Sequence, residues 1–138
     1  MGIPPPQALV TIVILYWMRS PTLIDTVKFY GFEEFLRRIK EVIEPSKIRY
    51  IISNHTEMDH SGAILPLLEF CPQAEIVCSL KGKEGLYRHF KKDLRFKIVE
   101  MGDTLKIGRR TLKFFLTSYG SLARFYCYLL RGRENFIF

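Results

Sequence analysis

Short apolar runs alternate with amphipathic stretches along most of this chain. Val10 to Trp17 is rich in β-branched and aromatic residues and predicts a strand. Arg19-Ser20-Pro21 reads as a turn and Thr22 to Val27 as a second strand. From Gly31 to Ile43 the residues Phe32, Phe35, Leu36, Ile39, Val42 and Ile43 recur at the helical period, with Glu33, Arg37, Arg38, Lys40 and Glu41 outside them. That pattern predicts an amphipathic helix, and Pro45 stands just past its end, where it cannot continue it. Ile48 to Ser53 predicts a buried strand. Leu65 to Phe70 predicts a short helix with Pro66 in its first turn, ended by Cys71-Pro72. Glu75 to Ser79 reads as a strand and Lys81 to Phe90 as a helix that Gly82 and Gly85 weaken. Phe96 to Glu100 is a strand, Gly102-Asp103 a turn, and Thr104 to Ile107 pairs with Arg110 to Thr117 through Gly108-Arg109. Strands alternating with helices predict an α/β arrangement with helices packed on a sheet.

Composition narrows this only modestly. With 138 residues, 48% of them apolar, the chain suits one domain with one core. The net charge of +7 raises nucleic acid as a partner. However, the basic residues are dispersed, no aromatic-basic module accompanies them, and part of the excess lies in the two end segments, so no nucleic-acid role is expected. Cys71, Cys78 and Cys127 show no Cys-x-x-Cys spacing, which fits buried thiols in a reducing cytoplasm. Ala8 to Met18 is apolar but too short to span a bilayer, and no basic cluster precedes it, so neither a membrane span nor a signal peptide is expected.

The chemistry is concentrated in Asn54-His55-Thr56-Glu57-Met58-Asp59-His60-Ser61-Gly62, directly after the apolar run ending at Ile52. A strand that ends in a ligand-dense loop is a way for a rigid scaffold to present a metal. Imidazole mixed with carboxylate suits iron, manganese or zinc, and carboxylates can bridge two ions. On a helix His55 and Asp59 would share a face while Glu57 pointed away. In an extended or looped backbone positions 55, 57 and 59 can face one side, and a turn can bring His60 round. The bland alternative makes His55 a strand end, Asp59 or Ser61 a helix cap and Glu57 a solvated charge. His89, near the end of a basic helix, is expected to be solvated.

The His-x-Glu-x-Asp-His-Ser-Gly text resembles the metal loop of the flavodiiron proteins (A-type flavoproteins). Their first domain has a metallo-β-lactamase-like fold, whose hydrolase branch typically carries His where this chain has Glu57. Thr22 to Val27 resembles the family's second strand. Met101-Gly102-Asp103-Thr104-Leu105 and Arg110 to Phe114 resemble a later hairpin. The resemblance runs from about Thr22 to Thr117. It implies a partial αββα sandwich across residues 1–138, and an oxidoreductase that reduces oxygen or nitric oxide at a di-iron site. His55 and Glu57 would hold one iron, and Asp59 and His60 the other, with no further catalytic residue assigned. It also implies FMN on a flavodoxin-like domain that these residues do not contain, a head-to-tail homodimer, and an electron donor such as rubredoxin.

The family's remaining ligands, a His in a Leu-His-Trp-Pro-Asp-like loop and then a bridging Asp and a last His, find no counterpart here. The first falls near Ser121, and no His follows His89. The expectation is a truncated domain that does not turn over alone. Suitable codons for Ser121 to Tyr126, read in another frame, spell that loop, and Val10 to Pro21 re-read spell the family's opening strand. A reading-frame slip at both ends is therefore expected, and the coding DNA tests it. Two other readings compete: a metal-dependent hydrolase of the same fold, and a metal-free structural or remnant protein.

Overall fold

The computed structural model describes the backbone of residues 13–15, 20–54, 61–108, 110–119, 122–131 and 134–137, and the side chains of 20–54, 61–108 and 111–115. A first sheet has the strand order β1-β2-β3-β4-β5. Its strands are β1 (Val13–Leu15), β2 (Thr22–Ile24), β3 (Tyr50–Ile52), β4 (Glu75–Cys78) and β5 (Phe96–Ile98). β1 pairs antiparallel with β2, and β2 through β5 are parallel. Parallel neighbours need a long return, usually helical. The returns here carry α1 (Phe32–Val42), α2 (Ile64–Leu68) and α3 (Leu80–Phe90). A second sheet is an antiparallel meander of β6 (Thr104–Ile107), β7 (Arg110–Tyr119), β8 (Leu122–Arg131) and β9 (Glu134–Ile137).

Alternation along the strands divides the core in two. Leu23 and Ile51 point to one face of the first sheet and join Phe35, Leu36 and Ile39 of α1 and Leu67 of α2. Ile24 and Ile52, one position on, join the cluster of Leu105, Ile107, Leu112 and Phe114 from the second sheet. Successive side chains of a strand face opposite sides, so one apolar run buries itself in both layers. α1 supports its exposed face with Arg37 bridging Glu34 and Glu41.

Several boundaries differ from the sequence expectation. β2 stops at Ile24 rather than Val27, because Asp25 adopts a left-handed backbone with φ 57. Val42 completes the period of α1 yet is 67% exposed; the chain becomes extended at Ile43, and Ile43 turns into the core instead. Pro66 lies in the first turn of α2, as expected. α3 forms despite its glycines, helped by Ser79, whose hydroxyl accepts the Gly82 backbone N–H at 3.0 Å. No element is expected from sequence beyond Thr117, but the backbone extends β7 to Tyr119 and adds β8 and β9. The aromatic and aliphatic run Phe125 to Leu130 suits a strand, and pairing with β7 supplies its backbone bonds.

Candidate metal centre

Strands β2, β3 and β4 end side by side, with Ile24 in register with Ile52, and Ile52 with Val77. Buried polar residues gather beyond that end. Thr26, Ser53, Asn54 and Ser79 follow the strands, and Ser61 lies on the far side of the ligand-rich segment; of the described buried polar residues, only Thr22 lies elsewhere. Open parallel sheets bind ligands outside the carboxyl ends of their strands, where successive loops converge.

The segment after β2 organises this end. The Asp25 N–H donates to the Ile52 carbonyl at 2.7 Å. The Asp25 carboxylate accepts the Asn54 backbone N–H at 2.8 Å. Two residues on, the Val27 carbonyl accepts the Ala63 N–H at 2.9 Å. Residues 25–27 therefore grip the chain just before and just after the candidate loop. A left-handed non-glycine residue is strained by about 1–3 kcal/mol, and such strain persists where surrounding contacts over-determine it. The bonds from both the backbone and the side chain of Asp25 do so here.

His55, Glu57, Asp59 and His60 themselves lie outside the described residues. Their flanks are buried, Asn54 at 3% exposure and Ser61 at 0%. The donor set suits iron, manganese or zinc by its chemistry. A further observation fits a site here: Asn54 Oδ1 is buried and has no hydrogen-bond partner among the described residues. No group of three or more His, Cys, Asp or Glu among the described residues could hold a metal.

The other candidate donors do not converge on this end. His89 is exposed in the last turn of α3, as expected. Cys71 and Cys78 are buried free thiols, and Cys127 lies outside the described side chains. Burial pushes the Cys71 thiol up to about 11 and the Cys78 thiol up to about 12, so neither offers a thiolate near neutral pH. A groove lined by Phe29, Leu65, Pro66, Leu68, Lys92 and Leu94, with Glu69, brings together only one carboxylate and one ammonium as charged groups. No helix among the described residues is long and apolar enough to cross a membrane. Sequence reasoning singled out neither Asp25 nor Asn54. A lone carboxylate ending an apolar strand was the available signal, but its partner is 29 residues away.

Known proteins agree with this architecture. A family profile described as "ODP family beta lactamase" matches residues 11–129. The chain is 44% identical over 103 residues to the flavo-diiron protein FprA2 of Clostridium acetobutylicum, covering 73% of this chain and 26% of that protein. It is 36% identical over 93 residues to a nitric oxide reductase of Moorella thermoacetica, covering 67% of this chain and 23% of that protein. The solved rubredoxin oxygen:oxidoreductase of Desulfovibrio gigas superposes with a TM-score of 0.80 at 34% identity, covering 85% of this chain and 29% of that one. The chain belongs to the ODP family of β-lactamase-like domains, the domain type of the flavodiiron proteins. It spans about a quarter of the length of the curated relatives it matches.

Proposed function

We propose that this chain supplies the metal loop of a flavodiiron-type oxidoreductase that reduces oxygen or nitric oxide. The observation that supports this reading is the anchored loop. Four donors stand between two residues, Asn54 and Ala63, that are hydrogen-bonded to the segment after β2 at the carboxyl end of a parallel sheet.

In this reading His55 and Glu57 hold one iron, and Asp59 and His60 hold the other. Bound iron would supply electron transfer and an open position for a diatomic substrate. The protein's own part is orientation. Asp25 and Val27 hold the residues that flank the loop, and Ile24, Ile52 and Val77 near the strand ends are buried in an apolar cluster. Four donors hold metal weakly, so further ligands come from other sequence or from a partner chain, and these 138 residues do not turn over alone. FMN would sit on a further domain or subunit. A rubredoxin-like donor, a head-to-tail homodimer and a cytoplasmic location complete the proposal; one structural relative carries rubredoxin in its name.

Metal analysis of the purified chain tests the site. Iron, or manganese or zinc in its place, is expected in the unaltered chain and reduced in His55→Ala and Asp59→Ala. Equal metal content in all three removes the site. Tightly held zinc with esterase activity replaces the reading with the hydrolase one.

A further inference from the structure

We propose that the groove between α2 and the segment following α3 is a docking site for a short acidic segment of another protein, one that carries apolar anchors between its carboxylates. The site uses none of the candidate metal donors and does not depend on them. The groove has a volume of about 540 Å³ and is lined by Phe29, Leu65, Pro66, Leu68 and Leu94, with Glu69 and Lys92 as its charged members. Natural binding clefts span roughly 300–1,000 Å³. None of these seven residues is buried, and Phe29 is 67% exposed. A small molecule is held by a cleft that encloses it, whereas an open apolar trough suits one side of a polypeptide.

Charge decides what that polypeptide carries. Residues 81–97 hold seven Lys and Arg against two Asp and Glu. Arg88, Lys91 and Lys92, at the end of α3 beside the groove, are exposed, and no ion pair among the described residues engages them. α1 shows the alternative: there Arg37 bridges Glu34 and Glu41, and Arg38 bridges Glu34. Cations paired in this way are neutralised within the fold, while unpaired ones leave a positive field that favours an anionic partner. Glu69 and Asp93 offset only part of it. Cations near a helix C-terminus also complement its dipole, which accounts for some of this charge. It does not account for exposed Lys81 in the first turn of α3, where the dipole favours acidic residues and none is present. Nor does it account for Lys91, whose backbone is left-handed with φ 51 at a helix end that glycine or asparagine fills with less strain. A nucleic acid would engage the cations but leave the apolar trough unfilled. A second copy of this chain would set Arg88, Lys91 and Lys92 against their own counterparts.

The test measures fluorescence anisotropy of the 138-residue chain with three labelled peptides: one of Glu with Leu and Phe anchors, one with Lys for every Glu, and one with Ser for every Leu and Phe. Only the first is expected to bind, and more weakly when salt is raised to about 0.3 M. Phe29→Ser and Lys92→Glu, both at exposed positions, are expected to weaken it by about 3-fold or more with Tm unchanged. Backbone ¹H–¹⁵N shifts on binding are expected at Leu65, Leu68 and Leu94. No binding of the first peptide, equal binding of the Lys peptide, shifts away from the groove, or binding undiminished in either variant overturns the proposal. So does sedimentation showing a dimer that Phe29→Ser abolishes, which assigns the groove to a second copy. Attachment to phosphatidylserine vesicles that is stronger than peptide binding and lost in Lys92→Glu assigns it to a lipid surface instead, and overturns the proposal too.

Discussion

Along β3, Ile51 and Ile52 are fully buried among aliphatic side chains, and one step further Ser53 and Asn54 are almost as buried but polar. The two regions meet at a peptide bond and obey different rules. In the body of the sheet each residue is satisfied by volume. Leu23 and Ile51 need only apolar neighbours, and the ladder takes care of the backbone. At the carboxyl end each residue needs a named partner: Asp25 for the Asn54 N–H, Val27 for the Ala63 N–H, Ser79 for the Gly82 N–H. Hydrophobic burial is non-directional, whereas a hydrogen bond is lost within an ångström. Stability is therefore concentrated in the body and positional precision at the tip, and substitutions can separate the two.

The largest expected effect lies in the body. Phe35 is 1% exposed in the layer between α1 and the first sheet, and Phe35→Ala leaves a cavity there. The expected loss is about 3–5 kcal/mol. It should appear as a lower urea midpoint, with unchanged metal content per folded chain. A loss of metal without loss of stability would break the division between the regions.

At the tip the effects should be smaller in stability and larger in metal. Asp25→Ala strands the buried Asn54 N–H and keeps a side chain at φ 57. Leaving such a donor unsatisfied costs roughly 1–3 kcal/mol. Asp25→Gly loses the same bond but relieves the left-handed strain, so it should be the milder of the two in chemical denaturation. Both should reduce bound metal. Equal destabilisation by Ala and Gly would show that the backbone strain is not real.

Ser79→Ala removes the cap of α3 and is expected to destabilise by about 1 kcal/mol. Because the cap lies after β4 rather than in the grip on the loop, metal content should not change. The smallest effect belongs to the exposed face of α1. Hydrogen bonds from Arg37 and then Arg38 hold the Glu34 carboxyl down to about 2 from 4.5. The folded protein thus releases this proton more readily than the unfolded chain. The contribution of the bridge is full above about pH 4.5 and fades as pH falls toward about 2. The difference in acid stability between the unaltered chain and Glu34→Gln should therefore shrink across that window, and by little, since the pair is exposed.

What could be read from sequence divides along the same line. The period of Phe35, Leu36 and Ile39 announces α1, and the alternating faces of Leu23-Ile24 and Ile51-Ile52 follow from strand geometry alone. The ligand-dense text from His55 to His60 is equally visible, because its residues are neighbours along the chain. Its resemblance to the flavodiiron metal loop agrees with the relatives, which match 67% and 73% of the chain. β2 ends three residues before the end its sequence predicts, because a left-handed Asp25 in the text Ile24-Asp25-Thr26-Val27 is a choice made by its surroundings. The strands after Thr117 are not legible in sequence, because pairing with β7 leaves no local periodic mark that distinguishes it from any apolar run.

Sequence by itself determined most elements up to Thr117, the alternation of faces along the strands and the donor types of the candidate loop, since each is encoded by residues within a turn or two of one another. Only the tertiary structure decided that Asp25 takes hold of Asn54 across 29 residues, that Val27 holds Ala63, and that the Asn54 oxygen is buried without a partner among the described residues. Those facts depend on β2 and β3 lying side by side with their ends level. That adjacency follows from how the two apolar faces pack, and no short stretch of sequence records it.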